Sequence, residues 1–252
     1  SAAMTTGDTL NNSVAGQTYD LLGHTDQVVV FSSDTEDANI QNAITQRIPE
    51  SSLGVVEQAL AGHPNVDGIA PIQFELVPVI SETSGLGEPE SSLAGAPAGI
   101  SRHCRHCRRT ITGRPGRSFH PVRSTLRMII SAITPNATAK LCGAVREFFQ
   151  YQNQPFTVTV AGIATDQIIS GSLNPDTPGM VMHLDAMQQM LGSGSDYSAI
   201  LISNTGTVRG SEQYSESVEA ALLPALEGQN LGVNLTKQDL VEQSELFANV
   251  FT

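Results

Sequence analysis

Tryptophan is absent from this 252-residue chain, and aromatic residues make up only 5% of it. A core built without large rings is filled by aliphatic, β-branched and small side chains, which 40% hydrophobic residues permit. Basic residues are nearly as scarce. Outside residues 101–146 there are three, Arg47, Arg209 and Lys237, against 25 acidic side chains. A surface of that sign repels phosphate backbones and anionic lipid, so the bulk of the chain is not expected to bind nucleic acid. No apolar run reaches the ~18 residues that a membrane helix needs. SAAMTTGDTLNNSV has no basic residue ahead of an apolar stretch, so it does not read as an export signal. It reads as a cut within a longer protein, and ELFANVFT stops while a helical pattern is still running. Low lysine with abundant Asp, Ser, Thr and Asn is a composition common among exported proteins.

What is present alternates strands with helices. GDTLNNSVAGQTYDLLG places Leu10, Val14, Tyr19, Leu21 and Leu22 at roughly helical spacing and ends at glycine. DQVVVFSS reads as a short buried strand. Ser51 and Ser52 are candidate caps for a helix over SLGVVEQALAG, closed by Gly62. HPNVDGIAPIQFELVPVISE is a turn and a long strand, and this β–α–β order predicts a right-handed crossover. ETSGLGEPESSLAGAPAG is loop chemistry, rich in Gly, Pro and Ser. QPFTVTVAGIA alternates Phe156, Val158 and Val160 against Thr157 and Thr159, the pattern of a half-buried strand. In GMVMHLDAMQQMLG a strand precedes a helix that Asp185 caps and Gly192 closes. SAILISN is a strand, SEQYSESVEAALLPALEGQ a helix that Pro224 kinks or bounds, LGVNLTK a strand, and QDLVEQSELFANVFT a helix. The fold class is α/β (α+β).

In order, SAAMTTGDTLNNSVAG, ALAGHPNVDGIAPIQ, QNQPFTVTVAGIATD, PGMVMHLDAMQQMLG, SAILISN and TKQDLVEQSELFANVFT resemble the extracytoplasmic (MacB-like periplasmic core) domain of FtsX/MacB-type ABC transporter permeases. The resemblance covers residues 1–80 and 150–252. It implies a helix over 1–23 continuing from a first membrane span and a porter-like α/β subdomain from 24–80 and 178–240. It also implies an inserted β-rich, sabre-like subdomain over 81–177, and the start of a helix into a second span over 241–252. It implies no catalytic residues and no cofactor. It implies that a separate cytoplasmic ABC ATPase hydrolyses ATP, that the permease works as a dimer, and that an extracytoplasmic protein is a further partner. The implied location is the extracytoplasmic face of the cell membrane. The competing class is a secreted ligand-binding or adhesion module.

One interval does not fit. Residues 101–109 read SRHCRHCRR, and 101–146 hold ten of the 13 basic residues, all three cysteines and no acid. Relatives of this family carry alternating strands and a Gly-Asp turn before QNQPFTVTVAG; residues 101–147 show neither. Their Arg, His, Cys, Pro and Ser are what GC-rich DNA encodes when read out of frame, so 101–147 reads as frameshifted, with the authentic frame returning near Phe149. The functional alternative is zinc or thiol chemistry. Cys104 and Cys107 form a Cys-x-x-Cys pair, with His120 and Cys142 as further ligands. Ten nearby positive charges oppose a cation and favour a reactive thiolate instead. Nucleic-acid binding is the weakest reading, because Phe119 is the single aromatic in the window available for stacking.

Elsewhere no catalytic signature occurs: no Gly-x-Ser-x-Gly elbow ahead of a helix, no Walker-type Gly-Lys-Ser/Thr, no dinucleotide glycine loop. His24, His63 and His183 are scattered and read as surface or boundary residues. Asp34, Glu36 and Asp37 read as a solvated loop without EF-hand spacing. Asn11, Asn136 and Asn234 head sequons short enough to arise by chance. Met180, Met182, Met187 and Met190 offer an adaptable groove for lipid or peptide, but their strand and helix spacing favours core.

Overall fold

Most of the apolar runs become strands of a mixed α/β chain. The computed structural model describes residues 16, 18–19, 21–32, 38, 42–81, 87–97, 127–131, 146–151, 154–164 and 179–250. The strands are β1 (Gln27–Phe31), β2 (Val66–Ser81), β3 (Gly87–Ala96), β4 (Arg127–Ser131), β5 (Arg146–Tyr151), β6 (Gln154–Ala164), β7 (Gly179–His183), β8 (Ala199–Asn204) and β9 (Leu231–Asn234). The helices are α1 (Asn42–Thr45), α2 (Ser51–Ala59), α3 (Leu184–Leu191), α4 (Ser215–Leu226) and α5 (Thr236–Val250), with a 3₁₀ turn at Ser211–Tyr214. Among the described residues, no helix is long and apolar enough to cross a membrane.

The chain forms two compact units. Ser1–Pro71 with Asp196–Thr252 make a terminal unit, and Ile72–Ser195 make an insert unit. Described residues from both the N-terminal and the C-terminal parts of the chain therefore belong to one body. In the terminal unit the strand order is β2–β8–β1–β9. Val28 pairs with Leu201 on one side and Asn234 on the other, antiparallel in both cases. β8 and β9 thus run the same way with β1 between them, and α4 links them: a split β–α–β. β1 and β2 lie in this same sheet with β8 between them. Val28, Val29 and Val30 are all fully buried, so β1 is covered on both faces. Val56 of α2 and Val218 and Leu222 of α4 are buried with it.

The insert unit takes the order β3–β7–β4–β6–β5–β2, and β3 also pairs with β2. Every strand then has two neighbours and the six-stranded sheet closes on itself, which removes free edges. Its core gathers Val77, Leu93, Met180, Met182, Met187 and Leu191, with Phe156 and Met190 packed against it. The methionines are core, as their spacing favours.

Several expectations shift. The Gly/Ser/Pro stretch expected to be a loop holds β3, in which Ser91–Ala96 are all buried. β4 lies inside the window expected to carry no strand; the β-branched pair Ile129-Ile130 gives it the local preference. The unit boundaries fall after Pro71 and Ser195, so 72–80 and 178–195 sit with the insert rather than with the terminal unit. The reason is packing: β7 pairs in parallel with β3 from Ser92↔Gly179 to Ala96↔His183, and α3 follows directly. Capping differs as well. Glu50, not Ser51 or Ser52, occupies the N-cap of α2, and His183, not Asp185, that of α3; neither makes a side-chain cap bond. Asp185 instead sits in the first turn, where a carboxylate complements the helix dipole. Gly192 closes α3 as expected, at φ 63° with its N–H on the Gln188 carbonyl. Pro224 lies inside α4 rather than ending it.

Candidate functional site

α5 is rooted in the terminal unit by a charge pair that no water reaches. Lys237, in the first turn of the helix, and Asp26, just before β1, are both 0% exposed, and Lys237 Nζ lies 2.9 Å from Asp26 Oδ1. Removing two ions from water costs several kcal/mol each, and only dense pairing offsets it. The pairing is dense here. Ser211 Oγ donates to Asp26 Oδ1 at 2.6 Å, and the Asn204 backbone N–H donates to Oδ2 at 2.7 Å. Lys237 Nζ also donates to the Val208 carbonyl and to Ser211 Oγ, both at 3.3 Å. The Lys237 N–H reaches the Asp26 carbonyl at 3.2 Å. Asn204 Nδ2 donates to the Ser211 carbonyl at 3.1 Å.

The same loop also holds the N-terminal helical residues. Gly16, Thr18, Tyr19, Leu21 and Leu22 are helical, and Gly23 ends them at φ 55° with its N–H on the Tyr19 carbonyl. Tyr19 Oη donates to Glu212 Oε1 at 2.8 Å, and the Arg209 guanidinium stands 5.1 Å from the Tyr19 ring centroid. Glu212 Oε2 meanwhile accepts from the Gly210 N–H at 2.8 Å, and Gly210 holds the positive φ of 91° that the turn requires. The third scarce cation, Arg47, donates to Ser198 Oγ and to the Ala43 carbonyl.

A second charged group lies along α4 and α5. Burial, then Asp239, then Glu216 push the Glu219 carboxyl above its ordinary range. Burial, then Glu242, do the same to Asp239.

Cys104, Cys107, His120 and Cys142 all lie outside the described residues, as do Asp34, Glu36, Asp37, Asn11 and Asn136. Among the described residues no group of three or more His, Cys, Asp or Glu could hold a metal ion. His24, His63 and His183 are half-buried and far apart in the chain; His63 Nδ1 accepts from the Asn65 N–H, and His183 Nδ1 stands 3.8 Å from Asp185. Asn234 is committed to structure, donating to the Ala38 carbonyl and accepting from Thr236 Oγ1. Asp26, Tyr19, Asn204, Ser211 and Glu212 were not singled out from the sequence. The signal was rarity: Arg47, Arg209 and Lys237 are the basic residues outside 101–146, and each is engaged in the terminal unit.

Neither a family model nor a curated protein matches the sequence. Solved structures do resemble the fold. The periplasmic region of MacB from Actinobacillus actinomycetemcomitans aligns with a TM-score of 0.49 and 11% identity, over 87% of this chain and 92% of that one. The extracellular domain of the noncanonic ABC-type transporter YknZ from Gram-positive bacteria gives 0.45 and 14%, over 83% and 99%. A domain of a protein named as a permease from Porphyromonas gingivalis gives 0.42 and 11%, over 83% and 89%. All three are likenesses of fold at 11–14% identity.

Proposed function

We propose that this chain is the non-catalytic extracytoplasmic domain of an FtsX/MacB-type ABC transporter permease. In that role it couples motion driven by a cytoplasmic ATPase to substrate export or extraction, or to an extracytoplasmic partner protein, within a permease dimer. The observation that carries the reading is how α5 is mounted. Its first turn is fully buried at Lys237, whereas Leu246, further along the helix, is 66% exposed. Fifteen helical residues extend about 22 Å, so the helix is a rod fixed at one end. The N-terminal helical residues belong to the same unit. A helix fixed at one end to a body that also holds the N-terminal helical residues transmits displacement as rigid-body motion and needs no reacting group.

The gene on either side of the chain tests this. Apolar spans of about 20 residues are expected immediately before Ser1 and after Thr252. An open reading frame that begins with an export leader and stops close to residue 252 overturns the reading in favour of a secreted binding module. With the spans present, the full-length protein should co-purify from membranes with an ABC ATPase subunit.

A further inference from the structure

The grips on the two helices interleave within five consecutive residues. Val208 and Ser211 hold Lys237 of α5, through the Val208 carbonyl and Ser211 Oγ. Arg209 and Glu212 hold Tyr19 of the N-terminal helical residues, through its ring and its hydroxyl. Between them the backbone has little freedom. Gly210 donates to Glu212, Gln213 Nε2 returns a 2.6 Å bond to the Gly210 carbonyl, and Ser211–Tyr214 is a 3₁₀ turn. Thr207 Oγ1 ties back to the Arg209 carbonyl at 2.6 Å. Asp26 closes the circuit: it binds Lys237 and Ser211 at once, three residues after the Gly23 turn that ends the N-terminal helical residues.

We propose that residues 208–212 are a clasp that couples the N-terminal helical residues to α5, so that loosening either grip loosens both helices. The physical reason is shared atoms. Ser211 Oγ serves Asp26 and Lys237 together, and Glu212 is its neighbour, so the turn cannot shift to follow Tyr19 without straining the ion pair. A buried charge pair tolerates such strain poorly, because any gap leaves an ion without its partner in a low dielectric. Independent anchors would let each helix fray alone; interleaved anchors make the two frayings one event. The inference deepens the permease reading and rests on it for its use: two rods entering one membrane would move as a pair.

Hydrogen exchange on this chain, resolved to single amides, tests the coupling without a membrane. Its failure is therefore separable from failure of the permease reading, which the flanking gene decides. Tyr19→Phe removes one hydroxyl far in sequence from α5. It should raise exchange at Tyr19, Leu21, Leu22 and Gly23, and also raise it at Asp239, Leu240 and Val241 by about threefold to tenfold. In the reverse direction, Asp26→Asn with Lys237→Met should raise exchange at residues 19–23 as well as in α5. Adding Tyr19→Phe to that background should change α5 little further, since the link is already cut. Unchanged α5 rates in Tyr19→Phe overturn the clasp. So does an equal rise at Val29 and Leu201 in the core, because the effect is then loss of global stability. If the charge-free double variant does not fold, Tyr19→Phe and Arg209→Met alone decide between these outcomes.

Discussion

In the terminal unit the fully buried set includes a lysine, an aspartate and a glutamine alongside three consecutive valines. In the insert unit the buried cluster is Val77, Leu93, Leu191 and methionines, Gln73 is also fully buried with its Nε2 donating to Ser193 Oγ at 2.7 Å, and the buried stretch of β3 is serine, alanine and glycine around Leu93. The first body relies on directional bonds: Asp26, Ser211 and Lys237 are joined to one another at the root of α5. The second is specified by size, in a closed sheet where side chains must fit. A body that holds helices at a set angle needs the former, because apolar packing alone permits sliding, whereas an unpaired buried ion does not.

The sharpest way to break the contrast is to remove one charge. Lys237→Met leaves Asp26 buried without its counter-ion, and Asp26→Asn strands Lys237. Each should cost about 3–5 kcal/mol in urea unfolding. Asp26→Asn combined with Lys237→Met should recover more than half of that loss, because no ion is left uncompensated. A double variant as unstable as the singles would mean that shape, not charge, holds the root of α5.

The insert unit should break by size. A Cβ on Gly95 would stand 2.8 Å from Met187 Sδ, 3.0 Å from Leu184 Cδ1 and 3.2 Å from the Leu184 backbone Cα. The sulfur can swing away but the backbone cannot, so Gly95→Ala should push α3 off β3 at a cost of about 1–3 kcal/mol. Gly54, where an added methyl carbon would meet nothing within 4 Å, is the matched control for glycine loss without crowding. Equal effects at the two sites would remove the packing account of β3.

That same glycine explains what could and could not be seen beforehand. DQVVVFSS, SAILISN and the long run ending in VISE were legible as strands because β-branched residues cluster there. Gly192 was legible as a helix end because a left-handed residue is needed. β3 was not legible: Ser91, Ser92, Ala94, Gly95 and Ala96 carry no strand preference, and they are small because α3 packs directly onto them. The clasp escaped for a different reason. Tyr19 and Glu212 are 193 residues apart, and Asp26 and Ser211 are 185 apart. No local pattern records such pairings, and only the rarity of Arg209 and Lys237 in an acidic chain pointed toward them.

The terminal unit also contains a polar group that contributes nothing to its bonding. Gln27 is fully buried, and neither its Nε2 nor its Oε1 has a hydrogen-bond partner. Burying an amide without partners costs about 1–3 kcal/mol. Gln27→Met keeps the length and removes both orphans, so it should raise stability by about 1 kcal/mol in the same urea assay. A loss would show that the amide is satisfied by buried water, and would make Gln27 a further member of the bonded network.

The smallest expected effect is a pH dependence that belongs to the terminal unit alone. Glu219 and Asp239 have raised folded-state values, first through burial and then through Asp239 and Glu216 for the former and Glu242 for the latter. A carboxyl whose folded value lies above its unfolded one binds protons more readily when folded. Stability from these two groups therefore rises as pH falls through the raised values, and levels off below the ordinary carboxylate range near ~4. Elsewhere in the chain acid is expected to destabilise, so the signature is a shallow gain just above that range before the loss sets in. Glu219 is half-buried, and Asp239 keeps much of its surface in water although neighbouring groups partly shield its carboxyl, so burial acts weakly there and salt should weaken the repulsive part. Glu219→Gln and Asp239→Asn should each flatten the gain in urea midpoints measured between about pH 7 and pH 5. Neither should alter exchange at Tyr19 or Gly23, because these carboxylates lie on the helix faces and not in the clasp. A change there would extend the coupled network along α4.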